Sequence, residues 1–269
     1  MSCSLVGSEM CIRDSIKLLF YALLFIWPSV LLSSSKIDKY NFSIQFSNLS
    51  IAKISATVYK NENKILYSIV SSSDGSLKSF YKFSSTIKGQ SKRIRDKLFP
   101  SIYETFSSYK GKTRKSNVEW DNSNNVLKFQ NTPKLDLKKV NKIPQNTIFN
   151  VIDPFTALIN TIDNLQLNNS CINKFRIFDG RRRYDLEMIE LDRSFLKKDR
   201  PKTYEGNVIV CGLRFYPIGG HYLDSKWKPE NDKFSDIKLY FGFLNKKVFP
   251  VRMEINRWFG SIITRIIFT

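Results

Sequence analysis

Apolar side chains recur at every second position over long stretches of this chain of 269 residues. Three successive stretches show the pattern, at Tyr40, Phe42, Ile44 and Phe46, then at Ala52, Ile54, Ala56 and Val58, and then at Ile65, Tyr67 and Ile69. Side chains of a β-strand point alternately to opposite faces, so this pattern is typical of strands with one buried face. Short polar segments separate the stretches, and the sequence therefore predicts an antiparallel meander.

One segment instead has the pattern of a helix start. Asp153 stands where an N-cap residue is expected, Pro154 follows at the first helical position, and apolar residues come at 155, 158, 159 and 162. The preceding residues 131–150 contain two prolines and four lysines without clear periodicity, which is typical of a long crossing loop. We therefore predict a mostly β fold, a curved antiparallel sheet or open barrel with one short helix that covers or plugs it.

Residues 174–186 contain an Asp-Gly pair, Asp179-Gly180, between two segments rich in aromatic and β-branched residues. Such a pair favours a hairpin with a two-residue turn, because both central residues need a positive φ. With that turn, Phe178 would face Arg181 across the strands. One face of the hairpin would then carry the apolar side chains of Phe175, Ile177, Tyr184 and Leu186.

The other face of the predicted hairpin is basic. It would carry Lys174, Arg176, Arg181 and Arg183, with Asp185 opposite Lys174. One interpretation is a solvated strand face near a turn. The other is an anion-binding site formed by Arg176, Arg181 and Arg183, because guanidinium groups bind phosphate or carboxylate with two parallel hydrogen bonds.

The chain is strongly basic, with 43 lysines and arginines against 24 acidic residues and a formal net charge of +19. This charge favours anionic partners such as anionic lipid, lipopolysaccharide or nucleic acid, through attraction that salt screens. A lysine-rich proteome would produce the same charge without selecting any partner. The charge alone therefore does not identify what the protein binds.

The N-terminal 35 residues resemble two segments that are not part of a folded domain. Residues 1–15 are similar to translated sequencing-adapter DNA, and they carry Glu9 and Asp14 where a secretory n-region should be cationic. Residues 16–35 contain an apolar run from Leu18 to Leu32 followed by three serines, which predicts a cleavable signal peptide. The alternatives are an inner-membrane anchor formed by residues 16–32 or a buried helix. We expect residues 36–269 to form a single β-rich domain of the periplasm.

Two cysteines, Cys171 and Cys211, lie in the predicted domain, while Cys3 and Cys11 belong to the adapter-like segment. In an oxidising compartment Cys171 and Cys211 would form a disulfide, which would stabilise the fold by about 4 kcal/mol. The alternative is a pair of small buried thiols. Two sulfurs with the single histidine His221 do not make a tetrahedral ligand set, so we expect no metal site.

The sequence contains few indications of an enzyme. It has no Gly-x-Ser-x-Gly, no His-Glu-x-x-His and no glycine-rich phosphate loop, and nothing in it indicates a cofactor. The carboxylates of Asp179, Asp185 and Glu187 are close in sequence, but glycoside cleavage needs acids that face each other. A hydrolase of envelope polymers remains the alternative hypothesis. An export signal argues against nucleic-acid binding.

The segment Phe178-Asp179-Gly180-Arg181-Arg182-Arg183-Tyr184-Asp185-Leu186, the flanking cysteines and the helix start at Asp153 resemble the domain of unknown function 3108 family. The resemblance covers most of residues 37–269. It implies an exported, β-rich cell-envelope domain with no assigned activity, and a curved sheet with a helix in its mouth, similar to envelope lipoprotein and lipid carriers. We therefore expect a binding or structural function toward an apolar ligand, a lipid or an envelope protein. The 37 aromatic residues, 14% of the chain, would equally well fill a closed core.

Overall fold

The computed structural model describes residues 36–268, except residues 48, 76–77, 79–81 and 226–227. The adapter-like segment and the predicted signal peptide or anchor, residues 1–35, lie outside the described residues.

Thirteen strands and one α-helix form the described chain. The strands are β1 (Lys36–Phe46), β2 (Leu49–Lys60), β3 (Lys64–Ser73), β4 (Phe83–Ile94), β5 (Lys97–Tyr109), β6 (Lys112–Trp120), β7 (Val126–Thr132), β8 (Asn173–Phe178), β9 (Arg183–Leu196), β10 (Gly206–Gly219), β11 (Ile237–Leu244), β12 (Lys247–Arg257) and β13 (Gly260–Ile267). The helix α1 spans Pro154–Asn168, and short 3-10 turns lie at Gln145–Thr147, Pro229–Asn231 and Phe234–Asp236. The prediction of a mostly β fold with one short helix is confirmed.

All thirteen strands belong to one antiparallel sheet in the order β7-β6-β5-β4-β3-β2-β1-β13-β12-β11-β10-β9-β8. Each half of the chain is a meander of neighbouring strands, as the alternation predicts. The first and last strands join the two meanders, because β1 pairs with β13 from Asn41↔Ile267 to Phe46↔Ile262. The sheet edges are therefore β7 and β8, which come from the middle of the sequence.

The two edges are bridged by the crossing loop, and they do not form a ladder with each other. On one side the amide of Val126 in β7 donates to the carbonyl of Ile148 over 3.4 Å. On the other side Ile152 forms a parallel bridge to Ile177 in β8, and the amide of Phe178 donates to the carbonyl of Ile152 over 3.0 Å. The sheet thus curves around an interior and remains an open barrel with a loop in its seam.

Helix α1 begins where the sequence predicts. The Asp153 side chain accepts hydrogen bonds from the amides of Phe155 and Thr156, over 2.8 and 2.9 Å, which satisfies two of the free amides of the first turn. The C-cap residue Asn169 adopts the left-handed conformation, with φ of 54°. The residues at the start of the helix therefore predict correctly that the helix exists, where it begins and which residue caps it.

The helix fills one end of the curved sheet, which we call the helix end. Asn160 exchanges hydrogen bonds with the backbone of Leu98, at the beginning of β5, over 2.9 and 3.0 Å. Gln166 accepts from the amide of Val248, at the beginning of β12, over 3.0 Å. Ile159 packs in the core of the first meander and Leu165 in that of the second. Because burial of each such side chain contributes about 1.5–3 kcal/mol, the helix ties both halves of the sheet together.

The predicted disulfide is present between Cys171 and Cys211, with an S–S distance of 2.11 Å. Cys171 lies between α1 and β8, and Cys211 lies in β10, where it pairs with Glu190 of β9. Both residues are fully buried in the core of the second meander. The bond therefore fixes the chain that leaves the helix to the third strand from the sheet edge.

The hairpin of β8 and β9 forms, but the prediction of a two-residue turn at Asp179 and Gly180 was wrong. Phe178 faces Arg183 rather than Arg181, so the loop contains four residues, 179–182. The cause is the Asp179 side chain, whose Oδ1 accepts from the amides of Arg181 and Arg182 over 2.9 and 2.7 Å. Of the four loop residues 179–182, only Gly180 has a positive φ, at 85°. These bonds stabilise a wider loop than a type I′ turn.

The shifted register changes the basic face and preserves the apolar one. Asp185 faces Arg176 instead of Lys174, and Lys174 faces Glu187. Arg181 leaves the strands altogether and lies in the loop. The predicted core face keeps its members, because Phe175 now pairs with Leu186 and Ile177 with Tyr184.

Candidate ligand-binding cavity

A cavity of about 750 Å³ lies at the end of the sheet opposite the helix, which we call the cavity end. It is bounded by β4, β5 and β6 near their turns at this end, by the β8–β9 loop, by the crossing loop, and by the segment after β10. The lining residues are Ser85, Ile87, Tyr103, Thr105, Ser107, Arg114, Leu135, Val140, Asn141, Asp179, Arg181, Arg182, Pro217, Gly220, His221, Tyr222, Leu223, Ser225, Lys228 and Pro229. Its volume lies within the roughly 300–1,000 Å³ of typical ligand pockets.

Positive charge dominates the lining of the cavity. Arg114, Arg181, Arg182 and Lys228 contribute four positive charges, whereas Asp179 contributes one negative charge. With His221 neutral, the described lining residues therefore carry 4 − 1 = +3. A concave surface with excess charge of one sign concentrates ligands of the opposite sign.

Arg114 and Arg181 form the part of this charge that is not compensated. Among the described residues, no carboxylate lies within ion-pair distance of either guanidinium group. Burial, and then repulsion from Arg114, lowers the pKa of Arg181, and the nearby charge of Asp179 partly opposes this shift. Arg181 is held by the carbonyl oxygen of Pro133 at 3.2 Å, and the Arg114 guanidinium lies 5.9 Å from the ring centroid of Tyr222. The cavity lining thus contains two like charges without an ion-pair partner among the described residues, and an anion that contacts both guanidinium groups would reduce their repulsion.

Asp179 and Arg182 form a compensated pair beside these arginines. The Asp179 carboxylate is buried, and it contacts the Arg182 guanidinium at 2.8 Å. This carboxylate raises the pKa of Arg182 above its usual range. Arg182 nevertheless keeps 55% of its side-chain surface accessible, and the residue lines the cavity.

Apolar and hydroxyl groups line the rest of the cavity. Apolar surface comes from Ile87, Tyr103, Leu135, Val140 and Leu223, and hydroxyl groups come from Ser85, Thr105 and Ser107. Burial, and then the nearby charge of Asp179, raises the pKa of Tyr103 well above its usual value, so this phenol stays neutral. The cavity therefore combines a cationic side with an apolar side.

The β8–β9 loop is fixed in the cavity by its contacts to β6 and β7. Asn131 donates to the carbonyl of Gly180 over 2.7 Å, and the Ser116 hydroxyl donates to the carbonyl of Asp179 over 3.4 Å. A Cβ atom at Gly180 would lie 2.0 Å from the Ser116 Oγ. Glycine is therefore required both by this approach and by its positive φ, and the close contact positions Arg181.

The structure separates the three arginines that the sequence predicted as an anion site. Arg176 and Arg183 both donate to the carbonyl of Thr147, over 3.1 and 2.8 Å, away from the residues that line the cavity. Arg183 is 1% exposed and contacts Asp185 at 2.6 Å. Of the three, Arg181 alone lines the cavity.

Sequence reasoning missed Arg114, Arg182 and Lys228 as members of a site. Arg114 lies in the ordinary basic segment that begins β6, and Lys228 lies in an irregular segment more than one hundred residues away in the chain. His221 also lines the cavity, with its ring 6.3 Å from that of Tyr184, although the sequence places it in an unremarkable loop. Only the fold brings these residues together.

The acids considered for hydrolysis each have a cationic partner. Asp179 contacts Arg182, Asp185 contacts Arg183, and Glu187 contacts Lys174 at 2.8 Å. Within residues 36–268 as described, no group of three or more histidine, cysteine or acidic side chains could hold a metal ion. The described helices include none of the length and apolarity needed to span a bilayer.

Comparison with known proteins gives a family for this chain without an activity. A search of curated proteins found no match. A search of solved structures matched the crystal structure of a beta-barrel-like protein of domain of unknown function DUF1849 from Brucella abortus. It has 7% sequence identity and a TM-score of 0.44, and the match covers 87% of this chain and 96% of that chain. The family model described as protein of unknown function (DUF3108) matches residues 39–266, and the chain therefore belongs to the DUF3108 family.

Proposed function

We propose that this protein is an exported binding protein of the cell envelope whose cavity takes a ligand with an anionic group and an apolar portion. The observation that carries the proposal is that Arg114 and Arg181 both line a partly apolar cavity, while neither guanidinium group forms an ion pair with a described carboxylate. An anion between them would replace repulsion by two charge-assisted interactions.

The apolar side of the cavity supports an amphiphilic ligand over a small inorganic anion. Ile87, Leu135 and Leu223 offer apolar surface beside the arginines. Transfer of each methylene group of a ligand from water to such surface contributes about 0.8 kcal/mol. A phosphate or carboxylate head group with a hydrocarbon chain therefore matches both parts of the lining.

Export is supported by the disulfide, because such bonds persist in oxidising compartments. We expect cell fractionation to recover the protein in the periplasm, with a mature N-terminus near residue 36. Recovery in the cytoplasm with reduced Cys171 and Cys211 would contradict this part of the proposal.

The ligand class can be tested with three dodecyl compounds that share a chain and differ in the head group. Dodecyl phosphate should bind the mature protein more tightly than dodecanol or dodecyltrimethylammonium in isothermal titration calorimetry. Arg181→Gln and Arg114→Gln should each weaken dodecyl phosphate binding by about 10- to 100-fold, the range expected when one charged hydrogen bond is lost. Arg176→Gln is the matched control, since this arginine belongs to the same hairpin but does not line the cavity.

Equal affinity for the three head groups, or an equal effect of the Arg176→Gln substitution, would contradict the proposal. A purely structural function would give no binding of any of the three compounds. The hydrolase alternative has no observation in its favour, because the acids that it would need are engaged in ion pairs.

A further inference from the structure

The turn between β12 and β13 exposes two aromatic side chains at the cavity end of the sheet. Antiparallel strands alternate in direction, so the β1–β2, β3–β4, β5–β6 and β12–β13 turns share one end, and α1 occupies the other. Trp258 is 96% exposed and Phe259 is 55% exposed. A tryptophan with almost its whole surface in water is unusual for a folded domain.

Trp258 and Phe259, which we call the aromatic tip, are held in place by packing against Phe46. The ring of Phe259 lies 6.2 Å from that of Phe46 and 5.4 Å from that of Trp258, measured between centroids. Gly260 has φ of 139°, and a Cβ atom at this position would lie 2.9 Å from the Phe46 ring. The glycine thus lets Phe46 pack under the turn, and Trp258 projects beyond it.

The aromatic tip is connected to the wall of the cavity. Arg257, the last residue of β12, contacts Asp232 at 2.9 Å. Asp232 directly follows the 3-10 turn Pro229–Asn231, and Pro229 lines the cavity together with its neighbour Lys228. A surface that engages the tip would therefore lie next to the cavity.

The charge at the cavity end favours an anionic surface as the partner. The β5–β6 turn exposes Lys110 and Lys112, and the amide of Lys110 donates to the carbonyl of the exposed Lys82 over 3.2 Å. The chain carries a formal net charge of +19. Basic residues are attracted to a surface of anionic lipid, and tryptophan concentrates at the bilayer interface.

We propose that the aromatic tip inserts into the interface of an anionic lipid bilayer and places the cavity end against the membrane. This inference goes beyond the proposed ligand site, because it concerns a separate surface. It also explains why the exposed Trp258 and the cavity share one end of the sheet. A second copy of this chain and a protein partner are the competing occupants.

The test is flotation of the mature protein with vesicles of phosphatidylglycerol and phosphatidylcholine. The paired substitution of Trp258→Ser with Phe259→Ser should lower the partition coefficient by about tenfold or more, as expected for the loss of a large buried apolar side chain. The control is Leu244→Ser, because Leu244 is 50% exposed and is the last residue of β11, beside the β11–β12 turn at the helix end. Lipids with brominated acyl chains should quench the Trp258 fluorescence, and Trp258→Phe should remove that quenching while the protein still binds.

Several outcomes would overturn the inference. These are equal flotation of the paired variant and the wild type, an equal loss for Leu244→Ser, and a paired variant that changes only the oligomeric state in light scattering. Dodecyl phosphate binding should be unchanged in the paired variant. Failure of the membrane test is thus distinguishable from failure of the proposed ligand site.

Discussion

Asp153 is the residue on which the centre of the molecule most depends. It caps α1 and is completely buried, and its Oδ1 also accepts from the Tyr67 hydroxyl over 2.8 Å. Its Oδ2 contacts the Thr156 hydroxyl, which lies 2.7 Å from the hydroxyl of Ser91. One carboxylate thus connects the start of the helix to β3 and β4.

We expect Asp153→Ala to lower the free energy of unfolding by about 2–4 kcal/mol, because the cap is lost and the buried Tyr67 hydroxyl loses its acceptor. Asp153→Asn should cost less than about 1 kcal/mol, since asparagine is an equally good N-cap residue. Urea unfolding of the three proteins measures both values. Equal losses for the two variants would contradict the assigned hydrogen bonds.

The same residue gives a pH dependence with a definite sign. Burial raises the pKa of Asp153 above its usual value, although its hydrogen bonds oppose the shift. A group with a raised pKa in the folded state stabilises most below the unfolded value, and this contribution is lost as pH rises through the folded pKa. The stability of the wild type relative to Asp153→Asn should therefore fall from pH 4 upward. A difference that rises with pH would contradict the shift.

Arg181 is the residue at which stability and binding should separate. Because Arg181 is partly buried near Arg114 and has no ion-pair partner among the described residues, Arg181→Gln should leave the melting temperature unchanged or raise it, while anion binding weakens by about 10- to 100-fold. The gain should be largest at low salt, since the screening length falls from about 30 Å at 0.01 M to about 3 Å at 1 M. Differential scanning calorimetry at several salt concentrations measures the effect. A lower melting temperature at low salt would show that Arg181 has a structural role instead.

Among the elements, the connection from α1 to β8 depends on the disulfide. Replacing both Cys171 and Cys211 by alanine should lower the free energy of unfolding by about 4 kcal/mol in the chain-entropy model. Both sulfurs are buried, so dithiothreitol should reduce the bond only when the protein unfolds. Alkylation of free thiols followed by mass spectrometry distinguishes reduction of the folded protein from reduction after unfolding. Rapid reduction under native conditions would contradict the burial of this bond.

Several elements were predictable because their determinants are local. Alternation gives the strands, Asp153 and Pro154 give the helix start, and Asn245-Lys246 forms a two-residue turn with positive φ at both positions. The predicted β8–β9 loop was two residues too short, because the Asp179 side chain accepts hydrogen bonds from the backbone amides of Arg181 and Arg182. Such competition between a turn type and a side-chain cap is not visible in turn preferences alone.

At the scale of the whole molecule, neither the strand order nor the site was predictable from periodicity. The pairing of β1 with β13 joins the two termini of the domain, and no local pattern specifies it. The cavity gathers Arg114, Arg181 and Lys228 from three separated segments. Among these three residues, only Arg181 was predictable as a site residue, because its hairpin is unusually basic.

The architecture assigns different tasks to the two ends of the curved sheet. Helix α1 closes the helix end through hydrogen bonds to β5 and β12, which makes that end a packed core. The cavity end keeps space, excess positive charge and the aromatic tip. In our account the first end gives stability and the second binds.

A crystal structure of residues 36–269 with dodecyl phosphate tests this account most directly. We predict the phosphate between the guanidinium groups of Arg114 and Arg181, at about 2.7–2.9 Å from their nitrogens, with the hydrocarbon chain along Ile87 and Leu135. Phosphate bound at Arg176, or a hydrocarbon chain outside the cavity, would contradict the account.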